Sequence, residues 1–93
     1  MELAQLPDGL TLARTTPVFD ENTVPAGLLA AHQVAEGVWG QVIVESGELD
    51  FVFEDAPSNV RRLATGDRQV IPPQRPHHVH PVGAVKFCVE FHR

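Results

Sequence analysis

The chain has 93 residues, 43% of them hydrophobic and 20% charged, with a formal net charge of -5. That length fits one domain with a thin core, burying roughly 60% of its unfolded surface. The acidic balance argues against nucleic acid as a partner, because phosphate-binding faces are basic and the one adjacent basic pair, Arg61 and Arg62, reads as a solvated strand edge.

The N-terminal MELAQLPDGL has no basic start followed by an apolar run, so it does not read as a signal peptide. No apolar stretch approaches the ~20 residues needed to cross a bilayer. The single cysteine, Cys88, excludes an intramolecular disulfide. These features together predict a soluble, cytoplasmic protein with no membrane partner. Eight prolines and seven glycines imply many turns and argue against long helices.

AGLLAAHQVAEG (residues 26–37) is the ambiguous stretch. Its alanines and leucines have the propensity of a helix of about three turns, which would leave His32 on the surface. As a strand it would place Leu28, Ala30, His32 and Val34 on one face. After it come short β-favouring runs separated by turn signals: VWGQVIVE, Ser46-Gly47, ELDFVFE, DAPSN, VRRLA, Thr65-Gly66 and DRQVI. A proline-rich segment leads to HHVHPV, Gly83 interrupts, and AVKFCVEF closes the chain with Phe87, Val89 and Phe91 alternating against Lys86, Cys88 and Glu90. This rhythm predicts an all-β sandwich or barrel in one domain over residues 1–93.

Nucleophilic catalysis has little support. The two serines, Ser46 and Ser58, fall in predicted turns, and no G-x-S-x-G, G-x-G-x-x-G or P-loop pattern occurs. Glu45, Glu48, Asp50, Glu54 and Asp55 gather at predicted hairpin ends and read as solvated charge. The histidines stand apart, with His77, His78, His80 and His92 concentrated at the end of the chain. Imidazole suits zinc, iron, copper or nickel, but a site needs three or four ligands from different strands. Strand parity puts His77 with Val79 on one face and His78 with His80 on the other, so one ordinary site cannot use all three. His78 and His92 are expected to be exposed, Trp39 to pack, and Cys88 to be a small buried hydrophobe.

Gly66, then Pro72 after five residues, then His77 five residues later, resembles the second motif of the cupin family, in which His77 holds the ligand position. Gly27, His32 and Gly47 resemble its first motif in altered form. The second histidine of that motif is Val34 here, its glutamate falls near Gly40, the second-motif glycine is Gln74, and its asparagine is Pro81. TPVFDENTVPAGLL, GVWGQVIVESGEL, PPQRPHHV and VKFCVEF together are similar to the small cupin-like proteins related to tellurite resistance, a family also found at the N-terminus of tellurite-resistance methyltransferases.

That resemblance implies a cupin-like, jelly-roll β-barrel and a strand for AGLLAAHQV. Methyl transfer is not expected of these residues, which contain no glycine-rich strand-to-helix turn for a cofactor. The ligand set taken from it is His32, His77 and Glu90. Glu90 either faces solvent or supplies the carboxylate that Gly40 lacks, and His80 is held in reserve. The metal would be a divalent transition ion, zinc first, with iron, manganese or nickel also compatible. Two readings follow: a metal-binding cupin that also takes a small molecule or oxyanion, or a non-catalytic binding module without metal. A thin-cored β protein with open edges is also expected to form a homodimer.

Overall fold

The structure, a computed structural model, describes residues 5–93. Strands β1 (Leu12–Thr15) and β2 (Phe19–Asp20) precede a single 3-10 turn at Ala26–Leu29. They are followed by β3 (Trp39–Phe53), β4 (Arg61–Ala64), β5 (Arg68–Ile71) and β6 (His77–His92). The all-β expectation holds. No helix among the described residues is long and apolar enough to cross a membrane.

Two long strands carry everything else. β3 has 15 residues and β6 has 16, and they pair antiparallel from Trp39↔His92 at one end to Phe53↔His77 at the other. Residues 40–43 of β3 also pair with β5, and residues 48–51 pair with β4. β1 and β2 line up along the last part of β6. All strands belong to one sheet, whose main path runs β1-β6-β3-β4 and does not return on itself, so the barrel is open.

The turns expected at Ser46-Gly47 and at Gly83 are instead bends within continuous strands. The register shifts between Val44 and Ser46 and again between Gly47 and Glu48, the two irregularities of a sheet that must curl. One consequence is visible in parity. The extra residue in β3 moves its buried side chains from even positions, Val42 and Val44, to odd ones, Leu49, Phe51 and Phe53. In β6 two residues, 83 and 84, have no partner, so Val79, Val85, Phe87 and Val89 keep one parity throughout. Both halves of the ribbon therefore turn their apolar sides to the same core.

Gly47 allows the bend. Its φ is +85, and a Cβ there would lie 2.1 Å from the Ala84 carbonyl oxygen. Its amide donates to Thr65 Oγ1 at 3.1 Å, while the Gly66 amide donates to Val44 O at 2.9 Å. The turn between β4 and β5 is thus tied to the bend in β3. Core burial does the rest: Phe51, Phe87, Leu49, Leu63 and Ile71 are essentially inaccessible, and each such side chain contributes about 1.5–3 kcal/mol relative to exposure.

Residues 26–37 adopt neither form considered for them. Pro25 starts the 3-10 turn, Leu28 N donates to Pro25 O at 2.9 Å, and Ala30 is already extended with φ -131 and ψ 176. A three-turn helix is overridden because the His32 backbone is taken by β6: its amide donates to His77 O at 2.8 Å and its carbonyl accepts from His77 N at 2.7 Å. The strand reading holds only for this bridge.

Gly47→Ala should cost about 3 kcal/mol or more, since it combines a positive φ with a contact no side chain can relieve. Gly66→Ala, at φ +89 with open space around it, should cost only about 1–2 kcal/mol. Urea denaturation of both variants measures the difference, and equal losses would show that the backbone approach to Ala84 does not matter.

Candidate functional site

A cavity of about 230 Å³ opens on the concave side of the curled sheet. Its walls are apolar: Phe19, Val42, Ile71, Val79, Phe87 and Val89 come from the sheet, and Leu28 comes from the 3-10 turn before β3. Four polar side chains reach it, those of Arg14, Thr16, His32 and His77. The Thr16 hydroxyl is already engaged, donating to Pro17 O at 2.9 Å and accepting from Val89 N at 3.0 Å.

His77 is the best defined of the four, at 2% exposure. Its ring stacks on Phe51 with centroids 5.3 Å apart, and meets the His32 ring edge to face at 5.5 Å. Nδ1 lies 3.2 Å from the Arg75 carbonyl oxygen. Because a carbonyl only accepts, Nδ1 carries the proton and Nε2 keeps its lone pair. No described residue bonds to Nε2. Burial, the largest influence, pushes the His77 pKa below its ordinary value; the Arg75 carbonyl opposes this and His32 adds to it. His77 is therefore a neutral, oriented acceptor inside an apolar chamber.

The structure brings His32 and His77 together and separates them from the other residues considered as ligands. Glu90 does not line the cavity. It leaves the opposite face of β6, where His92 Nε2 donates to it at 3.3 Å and the Arg68 guanidinium stands 4.0 Å away. Arg68 also donates to Gln41 at 3.2 Å on that face. Phe87, Val89 and Phe91 face inward, so of the two orientations open to Glu90 the outward one is found. His92, expected to be exposed, is half-buried by its bond to Glu90. His80 is exposed and pairs across the sheet with Asp50, which binds Arg62 through both carboxylate oxygens at 2.8 and 3.1 Å. That bond holds the Asp50 carboxyl below its ordinary value. His78 donates to Glu54 away from the cavity.

The positions where the cupin pattern would place further ligands are apolar and filled. Val34 is buried against the cavity. A Cβ at Gly40 would already lie 3.3 Å from Ile71 Cδ1 and 3.4 Å from Val34 Cγ2, so a side chain there would crowd both. Among the described residues, no three His, Cys, Asp or Glu side chains converge in a way that would hold a metal ion. The donor set at the cavity, among the described residues, is two imidazoles, and it does not fit a three-ligand centre.

Sequence reasoning does not reach Arg14. Its guanidinium lies 5.7 Å from the centre of the Phe91 ring, a contact across β1 and β6 that no local pattern in LART announces. Phe51 is likewise legible only as core, since its stacking on His77 depends on the pairing of β3 with β6.

The profile of the TehB-like domain family matches residues 14–89. Among solved structures, a structural-genomics protein from Escherichia coli strain K12 is similar with a TM-score of 0.87 and 23% identity, over 98% of this chain and 97% of that one. TehB from Haemophilus influenzae is similar with a TM-score of 0.83 and 20% identity over 91% of this chain, which corresponds to only 32% of the TehB chain. A cupin-2 domain protein from Shewanella frigidimarina gives 0.62 and 19%, over 92% of this chain and 72% of that one. At these identities the likeness is one of fold. No curated protein matches the chain.

The state of His77 generates a pH prediction. An imidazole whose pKa is lowered on folding favours the folded state fully above its unfolded value, about 6.5, and that contribution is lost as pH falls toward the folded value. Relative to His77→Phe, the natural protein should lose stability below about pH 6.5, by up to about 1.4 kcal/mol per pH unit. Denaturation curves of both proteins across this range test it, and parallel pH profiles would contradict it.

Proposed function

Since the chain belongs to the TehB-like domain family, a cupin-like family related to tellurite resistance, we propose that it is a small-molecule binding domain whose ligand sits in the cavity against His77. The carrying observation is the combination of apolar walls with one buried imidazole whose Nε2 has no partner among the described residues. Binding pockets of this kind use apolar surface for affinity and a few fixed polar groups for orientation. A cavity of about 150 Å³ takes a benzene ring, so about 230 Å³ suits one substituted ring or a short branched chain. The neutral Nε2 accepts, and therefore selects a ligand that presents a hydroxyl or N–H in the chamber.

A second reading retains a divalent transition metal, zinc first, on His32 and His77. One observation favours it: a ligating histidine commonly donates its other N–H to a carbonyl, as His77 does to Arg75. Glu90 and His80 lie too far round the sheet to complete that set without rearrangement, so water or the ligand itself would have to fill the remaining positions.

One pair of measurements separates the readings. Phenol titrated into the full chain should shift amide resonances of the cavity walls, and His77→Leu, which preserves bulk and removes Nε2, should weaken phenol at least about fivefold while leaving toluene little changed. Metal analysis of protein purified without an affinity tag should find less than stoichiometric metal. Stoichiometric zinc that is lost in His77→Ala and retained in His78→Ala would establish the second reading over the first.

A further inference from the structure

The cavity adjoins a shallower groove of about 480 Å³ between β1, the end of β6 and residues 33–38. Arg14, His32, Val34 and Phe91 line both spaces, and we take the boundary they form as the mouth of the cavity. A ligand whose body fills the chamber therefore presents its other end to Arg14 and His32.

The charge at this mouth is unlike that of the rest of the molecule. The chain has 12 acidic and 7 basic residues, yet no Asp or Glu among the described residues lines the cavity or the groove. Arg93 also lines the groove, and the four arginines away from it have polar partners. Arg62 binds Asp50, Arg75 binds Asp55, Arg68 reaches Gln41 and Glu90, and Arg61 donates to Gln69 at 2.6 Å. Arg14 has neither a carboxylate nor a hydrogen-bond acceptor among the described residues, and is held over the Phe91 face instead. An aromatic ring supports a guanidinium without using its N–H groups, which stay available in their planar fork. The His32 ring has no hydrogen-bond partner either, although its backbone is fixed by two bonds to His77.

We infer that the ligand is a small organic monocarboxylate, with its apolar body in the chamber and its carboxylate at the mouth, read by the Arg14 fork with His32 beside it. Three features converge on this class: walls with no Asp or Glu among the described residues at a mouth in an acidic protein, a guanidinium positioned by an aromatic face, and a chamber too apolar to suit a bare inorganic ion. The inference rests on the small-molecule reading and adds the charge of the ligand to it. Taken with the Nε2 acceptor of His77, it describes a molecule that offers a hydrogen-bond donor to His77 and a carboxylate to Arg14.

Para-hydroxybenzoate is a probe with that pattern, and para-hydroxybenzamide is its neutral counterpart. Calorimetric or NMR titration of the full chain near neutral pH should find the acid bound at least about tenfold tighter than the amide, as expected for hydrogen bonds to a charged group. Arg14→Gln should bring the two to within about twofold, and added salt should narrow the gap in the natural protein. Equal affinity for acid and amide, with both weakened by His77→Leu, would overturn the carboxylate and leave the cavity reading standing. No binding of acid, amide or phenol would overturn both. Selenite or sulfate displacing the acid at equal concentration would overturn the apolar body and leave only an anion site.

Discussion

The pairing of β3 with β6 is the constraint on which the rest of this molecule depends. Fifteen and sixteen residues run alongside each other along their whole length, with two shifts of register, and an antiparallel ribbon of that length cannot remain flat and still enclose a core. The bend at Gly47 resolves the conflict. Because a strand exposes alternate residues to opposite faces, one extra residue in β3 switches its inward set, and two in β6 leave its inward set unchanged. The bulges are therefore what allow both halves of the ribbon to bury hydrophobic side chains on one side. A shift of one residue at either would turn Phe51 or His77 outward.

His77 shows how a polar group is kept in such a core. A buried imidazole without partners is costly, and here the Arg75 carbonyl takes one nitrogen while Phe51 covers the ring face. The same carbonyl sets the tautomer, so the remaining nitrogen is an acceptor by default. The bridge to His32 then closes the edge of β6 and delivers a second imidazole to the same place. One pair of backbone hydrogen bonds thus protects a strand edge and shapes the entrance to the cavity.

The outer face distributes its charges differently. Asp50 pairs with Arg62 on the neighbouring strand and Glu54 with His78, while Glu90 meets His92 on its own strand and Arg68 of β5. Such exposed or half-exposed pairs contribute little each, but they keep carboxylates occupied on the outside of an acidic protein. Asp50 and Glu54 therefore do more than solvate hairpin ends. The contrast with the mouth, where Arg14 rests on Phe91, arises from where the strands place each side chain and not from overall composition.

The all-β class, the alternation of Phe87, Val89 and Phe91 toward the core, and the separation of His77 from His78 were all legible in the residues. They depend on short-range periodicity, which the chain carries locally. The spacing from Gly66 through Pro72 to His77 was legible too, and it correctly singled out a histidine on the cavity side. Other features required the fold. Ser46-Gly47 and Gly83 have the composition of turns, and only the register between two strands far apart in sequence makes them bends. The side taken by Glu90 was undecided in the sequence because parity gives relative faces and cannot say which face is inside. His32 lies in a helix-favouring stretch whose backbone is held extended by His77, and Arg14 reaches the cavity only because β1 lies beside the end of β6. Periodicity is a property of neighbours along the chain, whereas a site is a property of neighbours in space, and in this protein the second is set by where two strands agree to bend.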